Sequence, residues 1–486
     1  MSVPASRITV PYERPLRPDG DWVLYWMIAA RRTRYNPALE RAADLARTLA
    51  RPLLVVEALS CDPPWASRRV HAFVIAGMRE NARALTAGGA MAWPYVEPSL
   101  GAGKGLVEAL AARACVVITD AFPCLHLPKL VAAMARRVAA RVEVVDGCGL
   151  LPLALGGAFP SAYTFRRHLQ KTLPGVLGEA PVEDPLHGLP AAVPLPADLR
   201  ARWAPLEGGI DLSTLPLDAG PGVLPLVGGQ DAGRRRMEAF LDQLDAYEAH
   251  RNDPDAEATS RLSPYLHFGH LSPHEVVGEA LRRVGWGRER LGRATGRRGG
   301  RAAAGSEQEG GWWGVDPATE GFLDQLVTWR ELGFQYTSHR PDYADYRTLP
   351  AWALATLDKH AKDPRPYGYD RATLEAGRTH DRVWNAAQAE LRATGCMHNY
   401  LRMLWGKKVL EWSETPEQAW DTLIELNNRW ALDGRDPNSY TGIAWVFGRF
   451  DRPWGPERPI FGSVRYMTSP QAERKLEMKQ YLKRWA

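Results

Sequence analysis

Residues 379–445 read THDRVWNAAQAELRATGCMHNYLRMLWGKKVLEWSETPEQAWDTLIELNNRWALDGRDPNSYTGIAW, and the rest of the chain is organised around them. Apolar residues recur with helical spacing at Val383, Trp384, Ala387 and Leu391, and Gly395 is a natural stop. A second helix is expected from about Met397 to Trp412. Thr415-Pro416-Glu417-Gln418 reads as a capping box with proline at the first helical position, so a third helix starts there and runs to about Trp430. These helices carry tryptophans, amides and one Arg/Asp pair at apolar or half-apolar positions, a mixture that suits the lining of a cofactor pocket. Trp405 and Trp412, seven residues apart, share a helix face at roughly 10 Å separation. That spacing suits electron hopping between indoles; ordinary core aromatics are the alternative.

At 486 residues the chain is too long for one domain, and 45% hydrophobic with 24% charged residues describes a globular protein. No run approaches the roughly 18 apolar residues of a membrane span, and the polar N-terminus MSVPASRITVPYERPLRPDG lacks the form of a signal peptide, so a cytoplasmic protein is expected. Cys61, Cys115, Cys124, Cys148 and Cys396 are scattered and never in CxxC spacing, which indicates neither disulfides nor zinc. The net charge of +5 is modest, but residues 435–486 hold ten Lys/Arg against five Asp/Glu.

Residues 22–146 alternate apolar runs (WVLYWMIA, PLLVVEAL, MAWPYV, CVVITDAF, VEVVD) with helical patterns near 37–50, 67–87, 103–113 and 126–140, which implies a parallel sheet covered on both faces. The first strand leads into ARRTRYN without GxGxxG, so a dinucleotide at the first turn is not expected. Gly101-Ala102-Gly103-Lys104-Gly105 opens a helix but fits no phosphate-loop pattern, and a flexible helix entry is the plainer reading. Residues from about Gly178 to Gly233, rich in Pro, Gly and Leu, read as a long linker laid over a surface. Residues 286–316 are a Gly/Arg-rich insertion, either a solvated loop or a basic arm for DNA. In ATSRLSPYLHFG, Thr259, Ser260 and Ser263-Pro264 offer hydroxyls and backbone N–H groups, for helix capping or for a pyrophosphate. His267, His270 and His274 are broken in register by Pro273, and no metal site is expected.

The segments GCMHNYLRMLWGKKVLEW, LDGRDPNSYTGIAWVFG and ERPIFGSVRYM, in this order, closely resemble the signature of class II cyclobutane-pyrimidine-dimer photolyases of the photolyase/cryptochrome family. RNDP followed by SRLSPYLHFG resembles the segment that grips the FAD phosphates there, which favours the cofactor reading of Tyr247, Thr259, Ser260, Leu262 and Ser263. The resemblance implies Asn427 facing flavin N5 and the Arg402/Asp433 pair near the same edge, although a buried Arg and Asp also need each other structurally. It implies Trp384, Trp405 and Trp412 as the chain that refills the flavin, and Trp329, Met403 and Trp445 as the slot for an extruded dimer. One helical turn before Trp329, where these enzymes carry a glutamate, this chain has Gln325, preceded by Asp324. Arg31, Arg32 and Asn36 resemble part of the family's first-strand motif. Lys407, Lys408, Arg449, Arg452, Arg458 and Arg465 are candidates for the phosphate-neutralising rim, or for a solvated charged face.

The resulting expectation is a Rossmann-like α/β domain over 1–175, able to hold an antenna chromophore of unspecified identity, a linker over 176–235, and an all-helical FAD-binding domain over 236–486. The expected activity is light-driven splitting of pyrimidine dimers in damaged DNA by a monomeric lyase. Two alternatives stay open: a cryptochrome-like photoreceptor, motivated by Gln325, and a DNA-binding protein that keeps flavin as a relic.

Overall fold

The apolar runs become strands, and the sequence between them becomes covering helices. Strands β1 (Ile8–Thr9), β2 (Trp22–Trp26), β3 (Leu53–Leu59), β4 (Met91–Val96), β5 (Ala114–Asp120) and β6 (Arg141–Val145) form one sheet in the order β1-β6-β5-β2-β3-β4. The computed structural model describes residues 3–292 and 311–486. Strands β2 to β6 are parallel in the Rossmann order, and β2 is buried on both faces, as a doubly covered strand must be. Trp22, Leu24 and Trp26 join one core and Val23 and Tyr25 the other. Helices α1 (Pro37–Leu49), α2 (Arg68–Ala87), α3 (Leu106–Ala112) and α4 (Leu127–Arg137) follow the strands. Outside the predicted range, β1 adds an edge strand that pairs antiparallel with β6 through Ile8 opposite Val145; two residues are too few to carry a strand pattern.

Beyond the carboxyl end of β2 the turn is held by its own side chains. Asp120 accepts from the Tyr25 hydroxyl at 2.7 Å and from the amides of Ile28, Ala29 and Ala30. Asn36 caps α1 by accepting from the amides of Ala38 and Leu39, Arg31 pairs with Glu57 at 2.9 Å, and Arg32 donates to the Gly269 carbonyl. Each of these three motif residues thus has a structural task.

The described residues divide into two units of interleaved sequence: Met1–Gly156, Thr172–Glu238 and Leu262–Ala280 in the first, Gly157–Lys171, Ala239–Arg261 and Leu281–Ala486 in the second. The partition differs from the boundaries at 175 and 235. Residues 178–233 run over the first unit and are anchored there: Trp203 is 2% exposed, its indole donates to the Ala102 carbonyl, and its own carbonyl accepts from Trp93. Gly105, at φ +88°, is the N-cap of α3 with Trp203 packed on it, so the glycine loop is a helix entry.

In the second unit the helices begin and end on chemistry that the sequence displays. We number α5 (Ala162–Val176), α6 (Pro317–Leu323), α7 (Arg330–His339), α8 (Arg382–Thr394), α9 (Asn399–Trp412), α10 (Pro416–Trp430) and α11 (Pro437–Val446). Asp381 caps α8, and Gly395 ends it in the left-handed conformation at φ 71°. Thr415 accepts from the Gln418 amide as expected, but the Gln418 side chain accepts from Glu414 instead of closing the box on Thr415. Gly406 brings α9 against α11 so closely that an added Cβ would lie 2.5 Å from Val446 Cγ2.

Residues 293–310 of the Gly/Arg-rich insertion, and with them the basic-arm reading, lie outside the described residues. Its described ends are packed: Trp312 and Trp313 are buried, and the Trp286 indole donates to the Trp313 carbonyl at 2.7 Å.

Candidate functional site

Between α6 and α7 the chain runs as a π-helix over Asp324–Trp329, a form that recurs at functional sites. Asp324 is buried and receives Arg166 of α5 in a fork, with Nη2 at 2.9 Å from Oδ1 and 3.1 Å from Oδ2. Its Oδ2 also accepts from the indole N–H of Trp329 at 3.1 Å. Gln325, half-buried, takes the amide orientation in which its oxygen accepts from Arg251 Nη1 and Trp329 Nε1, both at 3.2 Å. The Trp329 ring lies 4.7 Å from that of Trp445 at an interplanar angle of 42°, forming one aromatic wall. The indole N–H of Trp445 is buried without a partner among the described residues. Met403 is half-buried against the helical core on α9.

Arg402, beside Met403, meets Asp433 at 3.1 Å. Burial opposes the Arg402 charge, and the Asp433 carboxylate outweighs it, so the guanidinium is held above its ordinary range. Burial, reinforced by Asp433, pushes the Cys396 thiol up to about 11, so it is no nucleophile. Asn427 is 4% exposed on α10, with its amide nitrogen 3.4 Å from Asn428 Oδ1. Nearby in sequence, His398 is buried, and burial pushes it down to about 4 although the Arg251 backbone holds it up in part, so it is neutral at physiological pH.

The three tryptophans form one contiguous ladder with Trp384 in the middle. Its ring stacks on Trp405 at 6.3 Å and 7°, and meets Trp412 edge-on at 5.5 Å. Trp384 of α8 therefore stands between Trp405 and Trp412, which helix spacing alone placed as neighbours on one face. Hydrogen bonds fix the ladder: Trp384 Nε1 donates to the Trp405 carbonyl and Trp405 Nε1 to Gln388 Oε1, each at 3.0 Å. Past Trp412 stand Tyr369 and His380, hydrogen-bonded to each other at 2.6 Å, and exposed Tyr367 stacks on His380 at 3.7 Å.

The chain is similar to known proteins over nearly its whole length. It is 34% identical over 483 residues to the deoxyribodipyrimidine photo-lyase of Methanothermobacter thermautotrophicus, covering 96% of this chain and 94% of that one. It belongs to the photolyase/cryptochrome family. Two solved family structures share its fold: a class III photolyase from Agrobacterium tumefaciens (TM-score 0.67, 18% identity, 98% of this chain and 87% of that chain) and a Synechocystis cryptochrome (0.66, 16%, 96% and 88%). No family model matches the chain.

Within this photolyase/cryptochrome chain, the expected site residues fall into distinct places. Tyr247 is buried at the start of a single helical turn, while Thr259 and Ser260 are half-buried in the irregular stretch before residue 262. Leu262 and Ser263 cluster with the first unit, and the helix they begin, Ser263–His267, has only five residues and no side-chain cap. The basic rim is corrected in part: Lys407, Lys408 and Arg449 are buried, Lys407 donating to the Val446 carbonyl, Lys408 pairing with Glu411 at 2.7 Å, and Arg449 lying over Tyr336. Arg452 and Arg458 are exposed, Arg465 is half-buried, and Arg452 and Arg465 both lie over the exposed Trp454 ring. Among the described residues no group of three His, Cys, Asp or Glu side chains forms a metal site, and no helix is long and apolar enough to cross a membrane. Sequence reading missed Arg166, since no local pattern links an arginine to a carboxylate 158 positions away, and it met Arg251 only as the first residue of RNDP, without its link to Gln325.

Proposed function

We propose that this protein is a class II-like, light-driven lyase that splits cyclobutane pyrimidine dimers extruded from DNA, acting as a monomer with reduced FAD. The observation that carries the reading is the Trp329/Trp445 wall beside Gln325, in the same unit as the Trp405, Trp384 and Trp412 ladder. The residues fit a flavin on their own chemistry. Asn427 offers a neutral amide, Arg402 and Asp433 offer a matched pair, and His398 offers a neutral imidazole. These side chains would hold FAD, together with Tyr247, Thr259 and Ser260. Reduced FAD, when bound, supplies the light-absorbing one-electron donor.

The chain's own part is binding and positioning. Trp329, Trp445 and Met403 stack on the extruded bases, each base–aromatic contact being worth about 1–3 kcal/mol. Trp445 brings an indole N–H that lacks an acceptor among the described residues, and Gln325 presents a neutral amide where relatives of class II carry a carboxyl group. Arg452, Arg458 and Arg465 neutralise phosphates, which makes binding fall with salt. The tryptophan ladder passes electrons inward over short ring-to-ring steps.

The test is dimer repair under blue light by purified protein, with Gln325→Glu alongside. We expect measurable repair by the natural protein and a higher yield per absorbed photon in Gln325→Glu at nearly unchanged DNA affinity. A neutral hydrogen bond is worth about 0.5–1.5 kcal/mol and one to a charged group about 1.5–3 kcal/mol, and Arg251 stands ready to pair the new carboxylate. No repair by either protein, with flavin photochemistry intact, would favour the second reading, a cryptochrome-like photoreceptor, for which Gln325 is the motivating residue.

A further inference from the structure

The π-helical stretch Asp324–Trp329 changes which side chains face Trp329. On an α-helix the residue four before Trp329, Gln325, shares its face; the wider π turn brings the residue five before it, Asp324, into reach as well. The Trp329 indole N–H accordingly lies between two acceptors, Asp324 Oδ2 at 3.1 Å and the Gln325 amide oxygen at 3.2 Å. We propose that Asp324, clamped by Arg166, is a positioning residue that fixes the Trp329 ring in the aromatic slot. This rests on the reading of that slot as the seat of extruded pyrimidines.

The two acceptors are not equal. Asp324 is held by three contacts from Arg166, Nε at 3.2 Å and Nη2 at 2.9 and 3.1 Å, so the plane of its carboxylate is set by a rigid fork. Both partners are buried, and the Arg166 guanidinium carbon also lies 5.5 Å from the centre of the Trp329 ring. Gln325 is half-buried, uncharged and shared with Arg251, so it gives a weaker hold on the indole. Turning the Trp329 ring over would break the charge-assisted bond to Asp324 and disturb the 4.7 Å contact with Trp445. Asp324 therefore acts through Trp329, and the Arg166 charge keeps the carboxylate from costing the slot a net negative charge.

The experiment is a double-mutant cycle of Asp324→Asn with Trp329→Phe, read in two ways. The first is hydrogen exchange of the Trp329 indole proton by NMR, its resonance being the one lost in Trp329→Phe. The second is the ratio of affinities for an oligonucleotide with one thymine dimer and for the same strand undamaged. We expect Asp324→Asn to speed exchange of that one proton and to lower the affinity ratio roughly tenfold, about 1.4 kcal/mol. In the Trp329→Phe background Asp324→Asn should lower the ratio no further. Unchanged exchange, or an equal drop in both backgrounds, overturns the proposal, since a merely structural ion pair would act independently of the indole. If the natural protein shows no dimer preference, the slot reading fails while the exchange rate still decides the positioning. Should Asp324→Asn not fold, Arg166→Gln combined with Asp324→Asn leaves no lone buried charge and must show the same faster exchange.

Discussion

Lys407 shows how far a residue's position departs from what its type suggests. A lysine in GKKVLEW reads as a surface cation, yet it is 1% exposed and burial pushes it down to about 7, against the nearby Asp451 charge. The unfolded chain binds that proton up to about pH 10.5, so between about pH 7 and 10.5 unfolding takes up a proton and stability rises with pH. Below pH 7 the penalty is fully present, on the order of 5 kcal/mol before the bond to the Val446 carbonyl is counted. Lys407→Met should therefore be more stable than the natural protein at pH 7, with the advantage shrinking towards pH 10. Urea midpoints for the two proteins across that range check it, and a constant difference would contradict the burial argument. Residue identity was legible wherever a side chain serves a local purpose, as at Gly395, Pro416 and Asp433. It was not legible for Lys407 or Arg166, whose neighbours come from distant parts of the chain.

At the scale of elements, α8 and α9 matter as a pair. The sequence places Trp405 and Trp412 on one face of α9, but helix periodicity says nothing about what a second helix inserts between them. Trp384 of α8 fills that interval, so it is the rung that both steps share. Trp384→Phe should remove light-driven flavin reduction by an external donor while FAD stays bound, because two steps of 6.3 and 5.5 Å collapse into one long one. Transient absorption after a blue flash reads this directly, and undiminished reduction would mean that electrons enter by another route. Caps made the boundaries of these helices readable to within a few residues. The π-helix was not readable, because nothing in DQLVTW marks it and its contacts, such as Arg166 on Asp324, come from distant sequence.

For the whole molecule, fold class followed from the alternating strands and helices, whereas the division of the chain did not, because packing partners of a Pro- and Gly-rich segment leave no periodic trace. Trp203 and residues 262–280 complete the first unit, with His270 set against Gly77 and its Nδ1 accepting from the Gly229 amide. A fragment ending at residue 175 should therefore unfold broadly in urea, and one ending at residue 280 should show a sharp transition by far-UV circular dichroism; equal cooperativity would contradict the interleaved division. The same interleaving sets a timetable for synthesis. The strands of the sheet have all left the ribosome long before residues 262–280 do, at about 5–20 residues per second. The nascent first unit must wait for that segment with apolar surface uncovered. The second cannot close until Phe450 arrives to meet Ser161, made nearly three hundred positions earlier. A protein so threaded depends on chaperones during translation more than its two-unit outline suggests, and slowing codons placed just after residue 280 should improve its soluble yield more than the same codons placed after residue 175.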